Sequence, residues 1–169
     1  MSDEEAFRVI KRLVPIRVRL TTGRQMSALV KCAEQAEHHR GRERVKDLLN
    51  APEPLLPLWN EVSQASTLVN KRFIELVELV EPDVASEDAP DLSTHRQVTV
   101  VLSSESGLRG SLYVSSPPGH ERTLDFLNRG ERFFYLESES GVQVVNLDHV
   151  VTVTDLEPRP VTVPPTDLR

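Results

Sequence analysis

The chain has one cysteine, Cys32, which excludes an intramolecular disulfide and any metal site built from several thiolates. It has no apolar run near the roughly 18 residues that a membrane helix needs. The opening Met1-Ser2-Asp3-Glu4-Glu5 lacks the basic stretch that begins a secretory signal. Together these absences predict a cytoplasmic protein with no membrane contact. Aromatic residues make up only 5% of the chain, so successive bases have few rings to stack on. Excess positive charge is also missing, because 26 acidic residues face 20 basic ones and leave a net charge of −6. Such a field disfavours polyanions as general partners.

What is present is ordinary globular material, with 38% apolar and 27% charged residues over 169 positions. It is organised as an internal echo. Arg44-Val-Lys-Asp47-Leu-Leu49-Asn50 matches Arg122-Thr-Leu-Asp125-Phe-Leu127-Asn128 at four of seven positions. In the same register Leu55-Leu56-Pro57-Leu58 meets Phe133-Phe134-Tyr135-Leu136, then Val69-Asn70 meets Val145-Asn146, and Glu81-Pro82 meets Glu157-Pro158. Upstream, Ile16, Val18 and Leu20 align with Val98, Val100 and Leu102. After a turn containing Gly23 or Gly107, Met26, Ala28, Val30 and Cys32 align with Leu108, Gly110, Leu112 and Val114. Both sets alternate with period two, the mark of strands with one buried face.

These patterns predict a mainly β (α+β) fold of two tandem small β-barrel or sheet units. Each unit reads as strand, turn, strand, short helix, then three strands. The first unit is 16–82, with its helix at 44–50 and an elongated polar segment at 33–43. The second is 98–156, with its helix at 123–128. Residues 1–15 are predicted to form an N-terminal helix, since Ser2-x-x-Glu5 is a capping box and Ala6, Phe7, Val9, Ile10, Leu13 and Val14 follow helical spacing up to Pro15. Residues 83–97 read as an acidic linker and 157–169 as an extended proline-rich tail. A unit of roughly 60 residues is only marginally stable alone, so the two are expected to lean on each other or on a partner.

The string Arg-x-x-Asp-x-Leu-Asn, followed by an apolar strand and then Val-Asn before a last hydrophobic strand, resembles a bacterial family of small β domains. The family's helix typically reads RLSDFLN. The resemblance covers 16–82 and 98–156 and carries no established activity. The strand order is loosely similar to that of Sm-type barrels, without their signature motifs, and that likeness implies architecture alone.

Several residues could carry chemistry, and each also has a structural reading. Cys32 lies near His38 and His39, but it aligns with Val114 on a strand face, where cysteine acts as a small hydrophobe. Glu34, Glu37, His38 and His39 are potential metal ligands, though neighbours on one polar segment seldom converge. Asp47 and Asp125 could act as paired carboxylates, but each stands three residues after an arginine, Arg44 or Arg122, with which it can pair on the helix. Asn50, Asn128, Asn70 and Asn146 suit turns and caps. His95, His120 and His149 stand singly.

The first unit carries ten basic against nine acidic residues, and the second four against eight. Arg17 and Arg19 share the outward face of the first strand, with Arg24, Arg40, Arg42, Arg44 and Lys46 nearby, so any basic face belongs to the first unit. Trp59 has Glu137 as its counterpart and therefore falls outside the common core pattern, which fits either burial by the N-terminal helix or an exposed anchor for a partner. The reading that follows is a non-catalytic protein-interaction or assembly module without a cofactor. Its partner would be another protein or a second copy, with Trp59, Arg17 and Arg19 as possible contact residues. The alternative is an Sm-like RNA- or DNA-binding protein using the basic face of the first unit. On the first reading the strand edges carry the function: Ile74–Val80 is guarded by Glu75 and Glu78, whereas Val150–Leu156 has almost no charge and is expected to be covered by the proline-rich tail, by the first unit or by another protomer.

Overall fold

The computed structural model describes residues 10–81, 93–115, 122–129 and 131–156. Its first half runs β1 (Lys11–Leu20), β2 (Gln25–Ala33), α1 (Val45–Asn50), β3 (Leu55–Asn60), β4 (Ala65–Asn70), a 3₁₀ turn (Lys71–Phe73) and β5 (Ile74–Leu79). The second half runs β6 (Ser93–Leu102), β7 (Gly107–Ser115), α2 (Thr123–Leu127), β8 (Phe133–Ser138), β9 (Gly141–Asn146), a 3₁₀ turn (Leu147–His149) and β10 (Val150–Asp155).

Local chemistry explains the shared pattern of turns. The β1–β2 turn closes with Leu20 N–H donating to Arg24 O and Gly23 N–H to Leu20 O, and the β6–β7 turn with Leu102 N–H to Ser106 O and Glu105 N–H to Leu102 O. Both turns need one left-handed residue. Gly23 supplies it at φ +83° without steric cost, whereas Glu105 takes it at φ +64°. Gly107, expected in the turn, is instead the first residue of β7. The 3₁₀ turns are likewise opened by asparagine side chains, Asn70 Oδ1 accepting from Arg72 N–H and Asn146 Oδ1 from Asp148 N–H.

All ten strands belong to one open antiparallel sheet in the order β10-β6-β7-β8-β9-β5-β1-β2-β3-β4. The sequence pattern allows barrel or sheet units, separate or shared; the described strands form one continuous sheet and no closed barrel. The halves have the same internal order, and β9 of the second pairs with β5 of the first, with Leu76 opposite Val145, Val77 opposite Val144 and Glu78 opposite Gln143. Among the described residues β4 and β10 are the sheet's two edges. β5 is thus an interior strand and not an edge guarded by charge.

The N-terminal helix is also corrected over its described part. Lys11–Pro15 lie in β1, where Lys11 faces Ala33 and Pro15 faces Leu29. Val14, Ile16 and Val18 alternate into the core, while Ile10 and Leu13, counted as apolar helix positions, are exposed. Pairing with β2 overrides the helical spacing. β1 tolerates Pro15 because β5 pairs it only from Ile16 onward, leaving the strand beyond single-sided. Residues 1–9 of that expected helix, the proline-rich tail and most of the expected linker lie outside the described residues. β6 begins at Ser93, so 93–97 belong to the sheet and not to the linker. No helix among the described residues is long and apolar enough to cross a membrane.

Two apolar clusters lie along the sheet, and each borrows from the other half. The first contains Ile16, Val18, Val30, Cys32, Val45, Leu49, Leu58 and Val77, together with Phe133 and Val144 from the second half. The second contains Val98, Val100, Leu112, Val114, Phe134 and Leu136, together with Leu76 from the first. Lys71 is buried under α1, where its ammonium donates to the carbonyls of Leu48 and Ala51 and so closes the helix C-terminus. Burial holds its pKa below the usual lysine value.

Candidate functional site

The polar groups with the most specific geometry lie where the halves meet. Asn50, the last residue of α1, places its side-chain amide against the backbone of Phe133. Nδ2 donates to Phe133 O at 2.9 Å and Phe133 N–H donates to Oδ1 at 2.9 Å. Asn146, at the end of β9, is fully buried and donates from Nδ2 to Ile74 O at 2.8 Å. The same two asparagines were expected only to cap turns. Asn146 does so with its oxygen while its nitrogen spans the joint.

Charged residues complete the joint. Glu75, at 1% exposure, pairs with Arg19 at 2.9 Å and accepts from Ser104 N–H of the β6–β7 turn. Lys46 on α1 pairs with Glu131 at 2.6 Å and lies over the Tyr135 ring, 5.3 Å from its centroid. His149 Nε2 sits 2.7 Å from Arg72 O and, as the donor tautomer, bonds it. Phe133, Tyr135, Val142 and Val144 are the apolar side of this contact, all packed into the first-half cluster.

The candidates singled out from the sequence are placed elsewhere. Cys32 is fully buried, as is Val114. Glu34 pairs with Arg42, Glu37 with His38, and His39 with Asp47 at 2.8 Å, so that polar segment disperses its groups among separate partners. Asp47 meets Arg44 at the backbone. Its Oδ2 accepts from Arg44 N–H at 2.8 Å and caps the start of α1. The side-chain bond between His39 and Asp47, and after it the ring's contact with the Arg40 carbonyl, raise the His39 pKa above the ordinary histidine value.

Arg17 pairs with Glu78 at 3.1 Å and Arg19 with Glu75, so both arginines of the expected basic face already hold carboxylates. Trp59 is half-buried on β3, between Leu29 of β2 and Ser66 of β4. Glu137 of β8 instead accepts a hydrogen bond from the Tyr113 hydroxyl, which raises the tyrosine pKa. Tyr113 also meets the His95 ring at 4.4 Å between centroids.

The two outer edges present apolar side chains. At the β4 end, Leu55 opposite Asn70 and Pro57 opposite Leu68 lie on one face, and Leu68 is 62% exposed. Phe73 is exposed just beyond. At the β10 end, Val151 is 63% exposed and Leu124 of α2 is 64% exposed. Sequence pattern alone could not single out the β4 edge, because strand adjacency depends on which unit's last strand closes the other. No protein-family model matches the chain, and no curated protein or solved structure matches it.

Proposed function

We propose that the chain consists of two tandem copies of one small β unit and serves as a non-catalytic protein-interaction or assembly module working through its sheet edges. One observation carries this reading: β4 and β10 end the described sheet with unpaired backbone and with Leu68 and Val151 turned to solvent. An unpaired strand bearing exposed apolar residues is a template for a partner's strand, with backbone hydrogen bonds supplying affinity and side chains supplying register. The basic face weighs less, since Arg17 and Arg19 are ion-paired on β5.

The test is retention from a lysate of the native organism by wild type and by a chain carrying Leu68→Lys with Val151→Lys. The reading expects wild type to retain a protein that the double variant loses. Equal retention by both overturns it. So does submicromolar RNA binding that is abolished by Arg17→Glu with Arg19→Glu, which would move the function to the first unit's basic face.

A further inference from the structure

We infer that the partner of each edge is a second copy of this chain, docked head to tail so that β4 of one copy pairs antiparallel with β10 of the next. The inference rests on the interaction reading above and takes its geometry from the joint inside the chain. That joint pairs β9 with β5, and in the order of elements β4 corresponds to β9 and β10 to β5. A joint already made once within the chain thus leaves its two complementary halves without a neighbouring strand among the described residues.

The residues that make the inner joint have counterparts placed to make an outer one. Asn50 corresponds to Asn128, which is exposed after α2, and Asn146 corresponds to Asn70, which is exposed at the end of β4. Docking in the inner register sets Asn128 against the Leu55 backbone of the neighbour, as Asn50 meets Phe133. It also sets Asn70 of the neighbour against Val150 O, as Asn146 meets Ile74. Both asparagines use Oδ1 or Nδ2 toward backbone groups, so the change of neighbouring side chains does not alter the bonds.

The apolar side follows. Phe133, Tyr135 and Val144 are packed into the first-half cluster, whereas their counterparts Leu55, Pro57 and Leu68 are exposed. On the opposite surface Lys46 and Glu75 are replaced by exposed Leu124 and Val151. In the outer contact Leu124 would lie toward Pro57 of the neighbour, as Lys46 lies over Tyr135, while Glu131 has Glu53 as its counterpart, so the Lys46–Glu131 ion pair is not reproduced. Val153 would face Leu68 of the neighbour, and Thr154 would face Thr67, a favourable cross-strand pair. Charge agrees as well, since the contact joins a first half of ten basic and nine acidic residues to a second half of four and eight. The interface is heterologous, so it propagates into a ring or a filament and not into a twofold dimer.

The experiment is sedimentation velocity on the full chain as wild type, Leu68→Arg and Val151→Arg, each checked by far-UV circular dichroism. Both substituted side chains are exposed, so the fold should survive. Wild type should sediment as an assembly of more than two chains, and each variant should lose it. An equimolar mixture of the variants should form a particle of two chains and no larger, because one intact β4 edge and one intact β10 edge remain. Assembly by either variant alone, or a mixture that stays as single chains, overturns the proposal. If a variant loses its fold, Asn70→Ala and Asn128→Ala take its place with the same expectation of lost assembly.

A wild type that sediments as a single chain also overturns it. If the Val151 and Val153 amides of that single chain resist hydrogen exchange, the chain's own residues cover the β10 edge. If it still captures a protein that the Leu68→Lys, Val151→Lys chain loses, the interaction reading stands without self-assembly. If it captures none, both fall.

Discussion

The side-chain amide of Asn50 completes the backbone hydrogen bonding of Phe133, donating to its carbonyl and accepting from its N–H, each at 2.9 Å. A side chain of the first half thus occupies the place a strand residue would take beside β8. Neither backbone group has β7 as a partner at this point, since β7 pairs β8 only at Ser111 opposite Glu137.

Asn50→Ala should therefore destabilise the chain by about 2 kcal/mol, two hydrogen bonds at roughly 1 kcal/mol each. Urea denaturation measures it. Asn50→Asp should cost at least as much, because a carboxylate cannot donate to Phe133 O. In the single chain Asn128→Ala is the control and should stay within about 0.5 kcal/mol, since Asn128 is exposed there. Equal losses at the two positions would contradict the asymmetry.

The halves should unfold together. Phe133 and Val144 belong to the first cluster and Leu76 to the second, so separating the halves exposes both cores. The single tryptophan, Trp59, reports on the first half, while far-UV circular dichroism reports on both. Their denaturation curves should coincide. Two separated transitions would mean that the β5–β9 contact does not couple the cores.

Backbone geometry separates two substitutions of opposite sign. A Cβ on Gly110 would stand 2.4 Å from Glu137 O, so Gly110→Ala must push β8 off β7 and should destabilise by about 1–3 kcal/mol. Glu105→Gly relieves a left-handed backbone at φ +64° and should stabilise by up to about 1 kcal/mol, as Gly23 does at the matching turn. Thermal denaturation of both variants checks the pair. The prediction fails if they shift the midpoint in the same direction.

His39 adds a pH dependence. Its pKa is raised in the folded chain, chiefly by the bond to Asp47, so the protonated form is favoured by folding. The stabilisation is complete below the unfolded value, near 6.5. It is lost as pH rises through the higher folded value. The stability difference between wild type and His39→Ala should accordingly be larger at mildly acidic than at alkaline pH, as long as Asp47 stays ionised. A difference that grows with pH would show the opposite linkage.

Strand positions such as Ile16, Val18, Val30, Val98, Val100 and Leu112 were legible in the sequence, because a half-buried strand needs alternation and the residues themselves carry it. The short helices were legible too, through the Arg-x-x-Asp-x-Leu-Asn strings. Leu13 and Ile10 were misread because helical spacing is a local signal, and the pairing of Lys11 with Ala33 that defeats it is not local.

The sequence alone determined that this is a β-rich chain whose two halves pass through similar strands, since period-two burial is written residue by residue. Only the tertiary structure decided that β5 meets β9, that Asn50 and Asn146 reach across that joint, and that β4 and β10 are the edges among the described residues. Every antiparallel strand offers the same row of N–H and C=O groups, so backbone chemistry does not choose among neighbours. The choice falls to side-chain packing between residues far apart in the chain, with Phe133 and Val144 fitting the first core where Leu55 and Leu68 remain in solvent.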